Sequence, residues 1–317
     1  MSPYPRRKKM TKIRELFSSR STWEYIISGI IFIAVSILLI YAAHMRGNAN
    51  TVSIDNPQTY DAVVESTKDP VITLEEAAEV KSLEFLNHKG LDDLSELEEF
   101  TGLEELAISG CTMDSLDGIE NFKHLKKLIV ISTTLDANAL VDADLKELKV
   151  IQITNGQISD VQKLIDNYPD LEILVLRDTS ASGKIVVKDM PFLTRLELRS
   201  DDITDLELDN LPSLTEANFD RTLITDIDGM LGITSIEKLV LTFTPLSDIN
   251  GISRLNNLKE IRLQGTEVTD LDELSEIDSF NSIYLDKWFD RSRIEFLRDH
   301  FREGDIYTKI YFLGDLS

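Results

Sequence analysis

From Val80 to Leu285 one phrase returns about every 22 residues: an apolar residue, two variable ones, a second apolar residue, one variable, and a third apolar residue. Its first positions are Val80, Leu103, Leu125, Leu148, Leu171, Leu193, Leu214, Ile236, Leu258 and Phe280. A period held that tightly through successive units is the signature of a stacked array, not of a domain folded around one centre. From the second apolar residue onward each phrase alternates apolar and variable, as in Leu103-Glu-Glu-Leu106-Ala-Ile108 and Leu258-Lys-Glu-Ile261-Arg-Leu263, which predicts a short strand with one apolar face. A lone strand of this kind cannot bury its leucines. Ten stacked strands can, as a parallel sheet roughly 45 Å long at the usual strand spacing.

A second phrase follows the strands: Ile158-Ser-Asp160-Val161, Ile203-Thr-Asp205-Leu206, Ile224-Thr-Asp226-Ile227, Leu246-Ser-Asp248-Ile249 and Val268-Thr-Asp270-Leu271. Its two apolar residues fill the opposite wall of each coil. The polar pair between them suits a turn into a short helical segment, accepting bonds from freed backbone N–H groups. Stacked aspartates also raise the question of calcium, which takes six to eight oxygen ligands. Capping accounts for the column without metal, and no metal or cofactor is assigned.

In period and in both phrases these residues resemble the leucine-rich repeat family, in the short bacterial class of the internalins, over about residues 80–285. The resemblance implies an α/β solenoid: a parallel sheet of about ten strands, a short helical or irregular convex side, a helical N-terminal cap and a helix-plus-strand C-terminal cap. It also implies that variable strand positions face outward on the concave side, and that the chain recognises protein without catalysis. The family's repeat usually has Asn eight residues after the first leucine, bonding backbone groups of neighbouring coils. Here that place holds Cys111, Thr133, Gly156, Thr179, Asp201, Thr222, Thr244 and Thr266. Thr can substitute for the amide, whereas Gly156 supplies no side chain. Ser180-Ala-Ser-Gly-Lys184 replaces the usual polar turn, which predicts a local irregularity mid-stack.

Outside the repeats the chain divides by charge and hydropathy. Residues 1–46 carry eight Lys and Arg against two Glu, a net of +6, which leaves −29 for residues 47–317 out of the whole −23. Residues 1–22 read as a basic cytoplasmic segment. Residues 23–45 read as a transmembrane signal-anchor helix, because Tyr25–Ala43 is 19 residues without a charge, flanked by Trp23, Tyr25 and Tyr41. That stretch exceeds the ~7–15 apolar residues of a cleaved signal peptide, and Ile40-Tyr41-Ala42 is a poor cleavage site. Basic residues on the N-terminal side place that end in the cytoplasm and the repeats outside it, extracellular or periplasmic. Residues 46–72 read as a linker. Residues 73–286 read as the solenoid with its N-terminal cap, opened by the capping-box phrase Thr73-Leu-Glu-Glu76. Residues 287–317 read as the C-terminal cap, with a helix over Asp290–Arg302 and a strand over Ile306–Phe312.

A body this acidic repels nucleic acid. His44, His88, His124 and His300 show no metal-ligand spacing, Cys111 has no partner for a disulfide and falls at a core position, and no phosphate loop or metalloprotease phrase occurs. The chain is read as a non-enzyme. The outward strand positions sum to zero charge although the body is strongly acidic, so they form the candidate contact face. Within it Ile129, Ile131, Val150, Ile173 and Val175 lie on three adjacent strands, with Lys126, Lys127, Lys149, Arg177, Arg195 and Arg199 around them. An apolar patch inside a charged rim is the form a protein contact takes. The alternative reading, a wall-glycan binder, requires exposed aromatics on this face, where only Tyr284 falls.

Overall fold

The computed structural model describes residues 50–131, 135–200, 202–278, 280–286, 289–303 and 309–312. The basic segment 1–22 and the anchor helix 23–45 lie outside the described residues. Two compact units emerge. In the smaller, Thr51 and Thr73 form an antiparallel bridge and the Val52 N–H donates to the Ile72 carbonyl at 2.9 Å.

The larger unit holds the repeats. Its long sheet has eleven strands, all parallel and in chain order. They are β1 (Ser82–Leu86), β2 (Glu105–Ser109), β3 (Lys127–Ile131), β4 (Val150–Thr154), β5 (Ile173–Arg177) and β6 (Arg195–Arg199). They continue as β7 (Glu216–Asn218), β8 (Lys238–Val240), β9 (Glu260–Arg262), β10 (Ser282–Leu285) and β11 (Lys309–Phe312). Ten strands come from the ten repeats and the last from the C-terminal cap. The second apolar residue of every phrase lies directly beside its counterpart: Leu83, Leu106, Leu128, Ile151, Leu174, Leu196, Ala217, Leu239, Ile261 and Ile283 are in register from β1 to β10 and buried throughout. This column is the core of the solenoid. Each member removes its apolar surface from water only because the next coil covers it.

The opposite wall is mostly 3-10 turns, such as Ile119–Asn121, Asp228–Met230 and Ile252–Arg254, plus the helix Val161–Asn167. Four of the five aspartates of the second phrase initiate these turns, whereas Asp205, expected in a turn as well, lies within the strand Asp202–Asp209 and faces Lys184 at 3.6 Å. Asp226, Asp248 and Asp270 each accept the backbone N–H two residues on, at 3.2, 3.1 and 2.9 Å, and Asp160 accepts from Lys163 at 2.8 Å. The irregularity expected at Ser180–Lys184 takes a definite form: Ser182–Lys188 and Asp202–Asp209 pair in a separate two-stranded parallel sheet on this wall. Their β-branched, period-two sequences favour extended backbone. The Gln162 side-chain amide finishes the edge of this small sheet, bonding both the N–H and the carbonyl of Val186 at 2.9 Å.

The helix Leu74–Glu79 starts just after Thr73, where the capping phrase places it. Within the stretch read as linker the structure holds a further helix, Pro57–Thr67. Asn56 caps it through the Gln58 and Thr59 N–H groups, and Pro57 occupies its first position, which suits a residue lacking an N–H. This helix covers β1: the Ser66 Oγ accepts the Glu84 N–H at 2.9 Å, and Ala62 and Val63 are buried. At the other end the helix Arg291–Glu303 buries Ile294, Leu297 and Phe301, with Phe301 edge-on to Phe280 at 6.2 Å.

Candidate functional site

Because the strands are parallel and in register, the outward side chains line up in three columns that cross the sheet. The first runs Glu105, Lys127, Val150, Ile173, Arg195, Glu216, Lys238, Glu260. Neighbours in such a column sit one strand spacing apart, close enough for long side chains to meet. They do. Lys127 lies 3.4 Å from Glu105, Arg195 3.8 Å from Glu216, and Lys238 3.8 Å from Glu260. Net neutrality of this face thus arises by pairing between adjacent coils.

The ladder is interrupted where Val150 and Ile173 stand side by side. With Ile129 in the second column and Ile131 in the third they form a half-buried apolar island. Val175 does not join it. Only 1% of Val175 is exposed. It is a short side chain ringed by longer ones: Gln152 and Glu197 beside it in register, Ile173 and Arg177 on its own strand. The basic residues of the expected charged rim are engaged with neighbouring side chains. Arg177 grips Glu197 with two hydrogen bonds, the Nη2–Oε2 contact being 2.8 Å, and Arg195 reaches the same carboxylate at 3.1 Å. Arg199 lies 3.2 Å from Asp220 and 3.8 Å from Asp178. Lys126 binds Glu104 at 2.6 Å, and Lys149 lies 5.6 Å over the Phe192 ring.

Glu197, which sequence reasoning passed over, is the most deeply buried charged group among the described residues of the face, at 3% exposure. Burial opposes its ionisation, but the hydrogen bonds and charges of Arg177, reinforced by Arg195, outweigh it and hold the carboxyl below its ordinary value. The signal was present as Arg177 and Arg195 around an acidic residue, readable only once the register was known.

Two further features emerge at the strand ends. Thr222, Thr244 and Thr266 donate to the carbonyl three residues earlier in their own coil, at 2.9, 2.8 and 2.8 Å, so these three members of the column at the family's Asn position tie their turns to themselves, while Thr133 and Asp201 lie outside the described residues. Cys111 instead reaches the Phe85 carbonyl of the preceding coil at 3.4 Å, and burial pushes its thiol up, away from nucleophile chemistry. One place earlier, a left-handed residue ends the strand in every described coil except at Ser200: Asn87, Gly110, Asn155, Asp178, Arg221, Phe243 and Gly265 all have positive φ. On the C-terminal part of the face, Tyr311 from the cap strand stacks on Tyr284 at 4.7 Å, and Arg262 lies 4.4 Å above the Tyr284 ring. Among the described residues no three His, Cys, Asp or Glu side chains converge as a metal site, and no helix is long and apolar enough to cross a membrane.

A parallel sheet on one wall, capped turns on the other and one coil per repeat define a leucine-rich repeat solenoid whose repeats resemble those of internalins. No protein-family model and no curated protein matches the chain. Among solved structures, internalin C2 from Listeria monocytogenes aligns over 75% of this chain and 98% of its own, at 17% identity and a TM-score of 0.52. An internalin of the same organism, inlF, aligns over 81% and 90% at 15% identity and a TM-score of 0.47. The functional domain of InlJ aligns over 68% and 51% at 19% identity and a TM-score of 0.49.

Proposed function

We propose that this is a membrane-anchored, extracytoplasmic protein that recognises a protein partner through the outward strand face, without catalysis. The observation that carries the reading is the interruption of the charge ladder at Val150 and Ile173. Elsewhere on the first column neighbouring charges satisfy one another, whereas these two positions, with Ile129 and Ile131, keep apolar surface at the face. Its strands hold the island rigidly, so little side-chain entropy is lost on contact. The address rests on the apolar stretch Tyr25–Ala43 and the basic residues before it.

The test is photocrosslinking in cells from Ile129 and Ile173, with the full chain, followed by mass spectrometry. A protein adduct from each position, with the Ile173 adduct vanishing on Ile129→Asp while the melting temperature is kept, is the expected result. Crosslinks that ignore the substitution would remove the island from consideration. A second reading, binding of wall glycan, is favoured by one observation, the Tyr284–Tyr311 pair beneath Arg262. It predicts glycan pulldown lost on Tyr311→Ala and untouched by Ile129→Asp.

A further inference from the structure

In the left-handed column, five of the seven described members are Asn, Gly or Asp, the residues that tolerate this backbone. The other two are Arg221 at φ 57° and Phe243 at φ 55°. Large side chains are uncommon there, and a strained residue kept against its conformational preference points to a use for its side chain. Both side chains lie at the surface and meet: the Arg221 guanidinium sits 5.0 Å from the centre of the Phe243 ring, which is 48% exposed. The ring lies across Gly265 of the next coil, where an added Cβ would fall 2.5 Å from it. Leu223, two residues after Arg221, is 44% exposed. Among the described residues between 202 and 286, Leu223 and Phe243 are the large apolar side chains left exposed.

The turns that follow this cluster are uniformly acidic. Segments 222–228, 244–250 and 266–272 hold Asp226, Asp228, Asp248, Glu267, Asp270 and Asp272 and not one Lys or Arg. We propose that Arg221, Leu223 and Phe243 form a second protein-binding surface, whose partner is a basic segment that inserts an apolar side chain beside the Phe243 ring. Aromatic and Arg side chains dominate interface energetics, and the carboxylates of the turns complement Lys or Arg flanking the inserted group. The proposal shares with the preceding reading only that the solenoid binds protein; it uses other residues at the exit end of the strands.

The experiment selects a displayed random-peptide library against the full chain, then measures the enriched peptides against Phe243→Asn and Leu223→Thr. Asn is the residue this column carries at 87 and 155, and Thr112 occupies the place of Leu223 in an earlier coil. Enriched peptides should combine Lys or Arg with an aromatic or leucine. Their binding should fall at least ~10-fold in either variant and weaken with added salt. The Phe243→Asn protein should melt at the same temperature or about 2–4 °C higher, because strain is relieved. A lower melting temperature would make Phe243 structural and overturn the proposal. So would binding that survives Phe243→Asn, or selection of acidic or purely apolar peptides. Ile129→Asp leaves this binding unchanged, which separates failure here from failure of the strand-face reading.

Discussion

Substituting Arg177 with Leu should cost far more than an exposed arginine normally would. Arg177 supplies two of the three hydrogen bonds that satisfy the Glu197 carboxylate, and Glu197 is 3% exposed. Leaving a buried charge short of its partner costs about 3–5 kcal/mol. Arg195 remains within reach at 3.1 Å, so the loss at pH 7 should lie near the lower end, about 3 kcal/mol. Removing the charge as well, in Arg177→Leu with Glu197→Leu, replaces the pair by apolar bulk and should recover about 2 kcal/mol of that loss. The pH dependence supplies a second readout. Because the folded-state pKa of Glu197 is depressed, its contribution is present above the ordinary carboxylate range and lost as pH falls through the lower folded value. Without Arg177, burial, which pushes the carboxyl up, is opposed by Arg195 alone, so protonation relieves the variant at a higher pH than wild type. The stability gap between the two should therefore narrow from pH 7 to pH 4 in urea denaturation followed by circular dichroism. A loss below about 1 kcal/mol at pH 7, or a gap that does not change with pH, would refute the reasoning.

Two further substitutions probe the coil-to-coil packing and the threonine column. A Cβ on Gly229 would stand 1.7 Å from the Leu206 carbonyl oxygen, so Gly229→Ala must push two coils apart, and a thermal melt should show a loss of about 1–3 kcal/mol. Thr244→Val removes a buried donor from the Leu241 carbonyl and should cost about 1–3 kcal/mol, whereas Thr179→Val, at the same place in a coil where the hydroxyl finds no partner, should be neutral or stabilising; chemical denaturation of both variants compares them directly.

Most of the architecture was legible because each repeat carries its own instructions. The phrase around Leu106 or Leu196 specifies a strand, its inward side and its spacing to the next, and stacking follows from the need to cover those leucines. The aspartates at 226, 248 and 270 announced turns, and turns are what they initiate. The helix Pro57–Thr67 was missed although Asn56-Pro57 is a strong start signal, because a polar, proline-containing stretch beside an apolar segment reads equally well as linker.

The candidate site was less legible. Alternation placed Ile129, Val150 and Val175 alike on the outward side, and nothing in the alternation separates the half-buried from the covered. That separation depends on which side chains stand beside each one across the sheet. Val175 is covered because Gln152 and Glu197 are its neighbours, and Glu197 is held as an ion because Arg177 and Arg195 converge on it. Likewise the left-handed column could be suspected at Asn87, Gly110 and Gly265, but Arg221 and Phe243 belong to it only by position in the coil.

The repeat alone determined the coil, the parallel sheet and the direction in which each leucine points, since these follow from local periodicity and from the impossibility of burying one strand by itself. The tertiary structure alone decided which outward residues are free, which are paired and where strain is stored. Those properties belong to residues 20 to 23 positions apart that only stacking brings within reach.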